Sequence, residues 1–112
     1  MLKELPTRTR GVCCDLEITL EPERIAGAVD VLKALGDPTR LGMVAALRRQ
    51  GAPVCICDLT AAFDLTQPTI SHHMAILTKA GLVEATKKGQ WRWYRRNEKA
   101  IRLMVKTLRG KL

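Results

Sequence analysis

A chain of 112 residues is one domain's worth of protein, too short for the two-domain layout of most cofactor-dependent enzymes. Nineteen Lys and Arg against eleven Asp and Glu give a formal net charge of +8, which points to anionic partners, nucleic acid first. Hydrophobic residues make up 46% of the chain but aromatics only 4%, so the core must be aliphatic, and that favours helices over sheets.

Residues 1–21 show no sustained period, carry Pro6 and Gly11, and are expected to form a flexible N-terminal arm whose only chemistry is the Cys13–Cys14 pair. The remainder, 22–109, reads as one domain. From Pro22, the residues Ile25, Val29, Leu32 and Leu35 recur at helical spacing, and Gly36 closes this first helix. Asp37-Pro38 then offers an N-cap acceptor and a proline at the first helical position. The second helix follows to Gly51, with Leu41, Val44, Ala45 and Leu47 or Arg48 as its buried stripe. Ala52-Pro53-Val54 is an extended link. Cys55 to Phe63 reads as a short third helix with Leu59 and Phe63 facing inward, and Asp64-Leu65 as a turn. Thr66 caps a fourth helix that tolerates Pro68 in its first turn and runs to Lys79, where Ala80-Gly81 stops it. Short helix, turn and helix make a helix-turn-helix.

Two alternating runs, Leu82 to Thr86 and Trp91 to Arg96, joined by Lys87-Lys88-Gly89-Gln90, predict a β-hairpin. From Asn97 a last helix carries Ile101, Val105 and Leu108 on one side, widened by Leu103 and Met104. That face is larger than the domain needs, so it either pairs two copies or packs on the first helix. The expected fold is mainly α with a small β-hairpin, a winged helix-turn-helix.

At 100° per residue, Ile70, Met74 and Leu77 define the inward face of the fourth helix, while Pro68, Ser71, His72, Ala75 and Lys79 point away. Small polar side chains near a helix start can enter a major groove, so Gln67, Thr69, Ser71 and His72 form the predicted DNA-contact set, with Lys79 beyond them. His73, at the edge of the buried stripe, is read as packed or phosphate-touching. Residues 66–112 hold eleven basic and two acidic side chains, against eight and nine in residues 1–65. The whole positive excess therefore lies in this half, and the hairpin extends it with Lys87 and Lys88 at the tip and Arg92, Arg95 and Arg96 on the return strand. Trp91, Trp93 and Tyr94 are read as hairpin packing rather than as a base-stacking platform.

No apolar run reaches the length of a membrane span, and MLKELPTRTRG lacks the apolar centre of a signal peptide, so a cytoplasmic protein is expected. There Cys13, Cys14, Cys55 and Cys57 stay reduced, which favours metal binding or redox sensing over structural disulfides.

Three segments, Leu35-Gly36-Asp37-Pro38-Thr39-Arg40-Leu41, Cys55-Ile56-Cys57-Asp58-Leu59 and Gln67-Pro68-Thr69-Ile70-Ser71-His72-His73-Met74, together resemble the arsenic-repressor (ArsR/SmtB) family of bacterial metal-sensing transcription factors. The likeness covers roughly residues 25 to 105. It implies a homodimeric winged-helix repressor, not an enzyme, that leaves double-stranded operator DNA when a toxic metal or metalloid binds. Cys55-x-Cys57-Asp58-Leu59 matches the family's metal box. Thr60 stands where some arsenic sensors have a third cysteine, and no histidine follows His73, which argues against the family's C-terminal metal site.

The resemblance thus implies that Cys13 and Cys14 must supply further thiolates, reaching the box of the opposite subunit. As(III) and Sb(III) favour three sulfurs, whereas Cd(II), Pb(II) and Zn(II) accept four. The expected inducer is As(III), held by Cys13, Cys14 and the opposite chain's Cys55, with Cys57 a fourth ligand or a buried spare thiol. A disulfide-based redox sensor is the first rival reading. A small thiol enzyme is the second, weakened by the lack of a phosphate loop or a Cys-x-x-Cys pair.

Overall fold

Five helices and three short strands build the computed structural model, which describes residues 5, 7, 9–11 and 21–111. Cys13 and Cys14, and with them most of the predicted arm, lie outside the described residues. α1 (Pro22–Leu35) starts with proline at its first position, where no intrahelical N–H is required. Gly36 ends it for a reason other than the one expected. Its φ is −77°, not left-handed, but a Cβ there would stand 3.1 Å from the Leu32 carbonyl oxygen, so the residue is needed for a close approach.

α2 (Pro38–Gln50) is capped by Asp37, whose carboxylate accepts the Arg40 N–H at 3.1 Å, and it closes at Gly51 with a left-handed φ of 65°. The Arg40 N–H, aided by the Arg40 charge, the Thr39 N–H and nearby His73, holds the Asp37 carboxyl below the usual carboxylate range against a smaller opposing effect of desolvation. A carboxyl lowered on folding stabilises the fold above its unfolded pKa, and that contribution fades as pH falls through the folded value. Asp37→Ala is therefore expected to lower Tm at pH 7, with the gap to the parent narrowing in strong acid; thermal melts across pH check it.

The buried stripe of α2 is Met43, Val44 and Leu47, while Leu41, Ala45 and Arg48 face solvent. This corrects the expected stripe by a fraction of a turn. Gly42 lies against the Phe63 ring, which turns Leu41 outward.

The link after α2 contains a strand, β1 (Val54–Cys55), and α3 (Ile56–Phe63) begins one residue later than expected. α4 (Gln67–Lys79) is capped by the Thr66 hydroxyl, which accepts the Thr69 N–H at 3.4 Å. Ile70, Met74 and Leu77 are fully buried, as the helical period predicts. They meet Met43, Leu59, Leu82 and Tyr94 in one aliphatic core.

β2 (Val83–Lys88) and β3 (Trp91–Arg96) form the hairpin, and β1 pairs with the free edge of β3, giving an antiparallel sheet of order β1-β3-β2. Lys87 and Lys88 are paired with Arg92 and Trp91, so they end the strand instead of forming the loop. The turn is only Gly89-Gln90, with Gly89 at φ 63° in the first central position, as a type II′ turn requires. α5 (Glu98–Lys111) touches α1 and buries Ile101 partly. Val105 and Leu103 stay exposed, as do Ile25, Val29 and Leu32 on α1. Packing of α5 on its own α1 therefore leaves apolar stripes uncovered on both helices.

Candidate nucleic-acid interface and thiol pair

α4 owes its exposed polar face to the depth of its apolar one. With Ile70, Met74 and Leu77 fixed in the core, Gln67, His72 and Lys79 are exposed and Thr69 and Ser71 half-buried. Thr69 is partly engaged already, since its hydroxyl lies 2.8 Å from the Thr66 hydroxyl. The first turn of α4 holds no acidic residue, so the partial positive charge of its N-terminus is open to an anion such as phosphate. His73 sits half-buried with its Nδ1 3.3 Å from an Arg40 guanidinium nitrogen, which fits the packed role expected for it.

The sheet separates its cations into two groups. Near the base, Arg95 pairs with Glu84 at 2.9 Å, and Arg96 pairs with Glu98 at 2.9 Å while reaching the Val44 carbonyl. Arg96 is drawn into the fold with only 11% of its side chain exposed, which removes it from the expected five-cation surface, whereas Arg95 stays at the surface with Glu84 beside it. Toward the turn, Lys87 and Arg92 are direct cross-strand partners, Lys88 adjoins them, and all three are exposed. Among the described residues none of the three has a salt-bridge partner. Like charges placed opposite one another destabilise a strand pair, and a polyanion lying across them removes that cost. Trp91 is half-exposed beside them, whereas Tyr94 is buried at the sheet centre.

The thiol pair is built at the junction of β1 and α3. Cys55 is the last residue of β1, pairs with Trp93, and is 3% exposed; Cys57 is exposed on the first turn of α3. The spare-thiol reading placed Cys57 in the core, but it is Cys55 that packs there. The Cys57 thiol donates to Cys55 Sγ at 2.9 Å. Asp58 accepts the Cys55 N–H at 3.3 Å, fixing the helix start on which both sulfurs ride. That role was missed in the sequence, although a carboxylate three residues after an N-cap is its signal. The Cys57 thiol is pushed above its ordinary pKa, chiefly by its hydrogen bond to Cys55, then by desolvation and by the negative charges of Cys55 and Asp58.

Among the described residues, no group of three or more His, Cys, Asp or Glu side chains is placed to hold a metal. As ligands to a thiophilic ion the pair would offer two sulfurs and would need a third from elsewhere; Cys13 and Cys14 are the remaining cysteines of the chain. No helix among the described residues is long and apolar enough to cross a membrane.

Comparison with known proteins gives the same outline. A family model described as bacterial regulatory protein, arsR family, matches residues 37–85. The putative arsenical resistance operon repressor ArsR of Halobacterium salinarum is 33% identical over 116 residues, covering 93% of this chain and 90% of its own. The arsenical resistance operon repressor of Escherichia coli is 45% identical over 67 residues, covering 60% of this chain and 56% of its own, so the likeness spans only about half of that relative. Among solved structures, the homodimeric winged helix-turn-helix DNA-binding domain of a possible ArsR-family regulator from Mycobacterium bovis has the same fold. It superposes with a TM-score of 0.68 at 23% identity, over 85% of this chain and 87% of that one.

Proposed function

This chain belongs to the bacterial arsR family of regulatory proteins, and from that premise we propose that it is a repressor that binds operator DNA as a homodimer and releases it when As(III) or Sb(III) is captured by cysteine thiolates. Gln67, Thr69, Ser71 and His72 enter the major groove, and Lys79, Lys87, Lys88 and Arg92 hold the flanking phosphates. Residues 1–21 serve as the arm that brings Cys13 and Cys14 to the box, and residues 22–109 read DNA and dimerise through the exposed stripes of α1 and α5. The protein works in the cytoplasm, where the thiols stay reduced.

One observation carries the regulatory half of this reading: Cys55 lies on β1, β1 is hydrogen-bonded to β3, and the opposite edge of β3 is the cationic wing strand β2. A ligand that pulls on Cys55 and Cys57 therefore acts one strand away from the DNA-holding surface. Because the two sulfurs adjoin, the inducer takes both, and the arm completes the set: three sulfurs for As(III) or Sb(III), four for Cd(II), Pb(II) or Zn(II).

A duplex selected from a random library, labelled and followed by anisotropy, tests the whole scheme. The reduced protein is expected to bind it, with affinity falling steeply as salt rises, and to release it on adding As(III) or Sb(III). Release by Cd(II), Pb(II) or Zn(II) alone would move the site to four thiolates, and release by peroxide without metal would support the redox sensor. Capture requires the thiols to lose their protons, and the Cys57 proton is held tightly. As(III) and Sb(III) arrive as neutral trihydroxides whose hydroxides leave as water with the thiol protons, so their capture is expected to release no net protons between pH 6 and pH 8, whereas Cd(II), Pb(II) or Zn(II) should release about one per thiol; calorimetry in buffers of different ionisation heat separates the two.

A further inference from the structure

Arg40 makes more polar contacts to other elements than any other side chain near the reading helix, and no DNA or thiol chemistry needs it. Its Nε donates to the Ala34 carbonyl at 2.6 Å and one terminal nitrogen to the Lys33 carbonyl at 3.4 Å; these are last-turn carbonyls of α1. The other terminal nitrogen donates to His73 Nδ1 on α4 at 3.3 Å, 33 residues away in sequence. Its own backbone N–H is tied to Asp37. A cation suits the negative end of a helix, where the Lys33 carbonyl also accepts the capping Gly36 N–H, and a guanidinium is a rigid fork that fixes the directions of the groups it joins.

We propose that Arg40 is a positioning residue for the reading helix: it clamps the C-terminal end of α1 to His73 of α4 and so sets the angle at which α4 is presented to DNA. The clamp spans two surfaces that matter, since α1 bears the uncovered stripe Ile25, Val29 and Leu32 and α4 bears the groove-facing residues. α1 also packs directly on α4, and the guanidinium adds to that packing a polar link of fixed direction between the two helices. Arginine has no acceptor, so the contact requires Nδ1 of His73 to be unprotonated, with the ring proton on Nε2.

The inference rests on α4 being the DNA-reading element, and its test has one arm that needs no DNA. In the full-length dimer, Arg40→Gln and His73→Ala are each expected to weaken binding of the selected duplex about tenfold, within the usual range of coupling between sites. The double variant is expected to be no weaker than Arg40→Gln alone, because the two residues act as one contact. Arg40→Lys should not rescue, and the salt dependence of binding should keep its slope. Parental affinity in Arg40→Gln, or losses that multiply in the double variant, would overturn the proposal. So would a slope reduced by about one, the mark of a lost phosphate contact.

In the DNA-free protein, ¹⁵N spectra are expected to show His73 Nδ1 unprotonated in the parent and a tautomer mixture in Arg40→Gln. Identical spectra would overturn the clamp. A parent that binds no duplex, combined with the expected spectra, would discard the DNA reading while leaving the clamp intact.

Discussion

A Cys57→Ser chain is expected to grip its operator as the parent does and to ignore arsenite. The site of substitution is exposed, so the fold loses nothing beyond a thiol hydrogen bond, and operator affinity should stay within about twofold, as is usual for surface changes. A hydroxyl, however, is a hard and weakly acidic donor that does not replace a thiolate on a thiophilic ion. The parent's release should correspond to a 5–150-fold weakening of DNA binding, roughly 1–3 kcal/mol of coupling; in the variant that factor should fall below about two. Cys55→Ser is the less clean experiment, because Cys55 is core-packed and accepts the Cys57 thiol at the start of α3, so the substitution disturbs the core and the helix start as well as removing a sulfur. Retained release in Cys57→Ser, lost in Cys13→Ser, Cys14→Ser and Cys55→Ser, would put the pyramid on those three sulfurs and remove Cys57 from it.

The largest loss of stability from one substitution in the sheet is expected for Tyr94→Ala. Tyr94 is 2% exposed, and it sits opposite Val54 on one side and Ala85 on the other. Truncating a buried aromatic to alanine costs about 3–5 kcal/mol, and small domains hold only about 5–15 kcal/mol in all. Denaturant melts should show the midpoint lowered by about a fifth of the parent's value or more. Tyr94→Phe, which keeps the ring, should cost under about 1.5 kcal/mol. The pair separates ring packing from the phenol oxygen: an equal loss in both variants would mean that the hydroxyl, not the ring, holds the sheet. Because the same residue backs β1, partial melting in Tyr94→Ala should also loosen inducer binding at Cys55.

Helix α4 was readable from its sequence because a single geometric rule decides it. Three of its four large apolar residues fall on one stripe, with Ile76 alone outside it, so Ile70, Met74 and Leu77 could be placed in the core by angle. Helix α2 offers apolar residues at Leu41, Met43, Val44, Ala45 and Leu47, which surround much of its circumference. Period cannot choose among them, and contact with Phe63 does. Strand β1 is two residues long and exists only through Tyr94 and Trp93, some forty residues onward, a pairing invisible in any local pattern. The wing cations misled for a related reason: Lys87 and Lys88 look like loop residues, yet they belong to a strand whose turn needs only Gly89 and Gln90.

At the site, the spacing Cys55-x-Cys57 announced sulfur chemistry. Which sulfur is buried depends on the strand-to-helix junction, where the chain turns Cys55 inward. The Arg40 clamp joins residues too distant in sequence for any motif to reveal.

The bare hydrocarbon left on α1 and α5 has a consequence for dosage. If a second molecule covers Ile25, Val29, Leu32, Leu103 and Val105, then folding and association draw on one free energy, and mass action makes the melting temperature climb with protein concentration. Dilution would then strip the regulator of resilience and of its two-pronged hold on DNA at the same moment, so the number of molecules per cell becomes part of the switch.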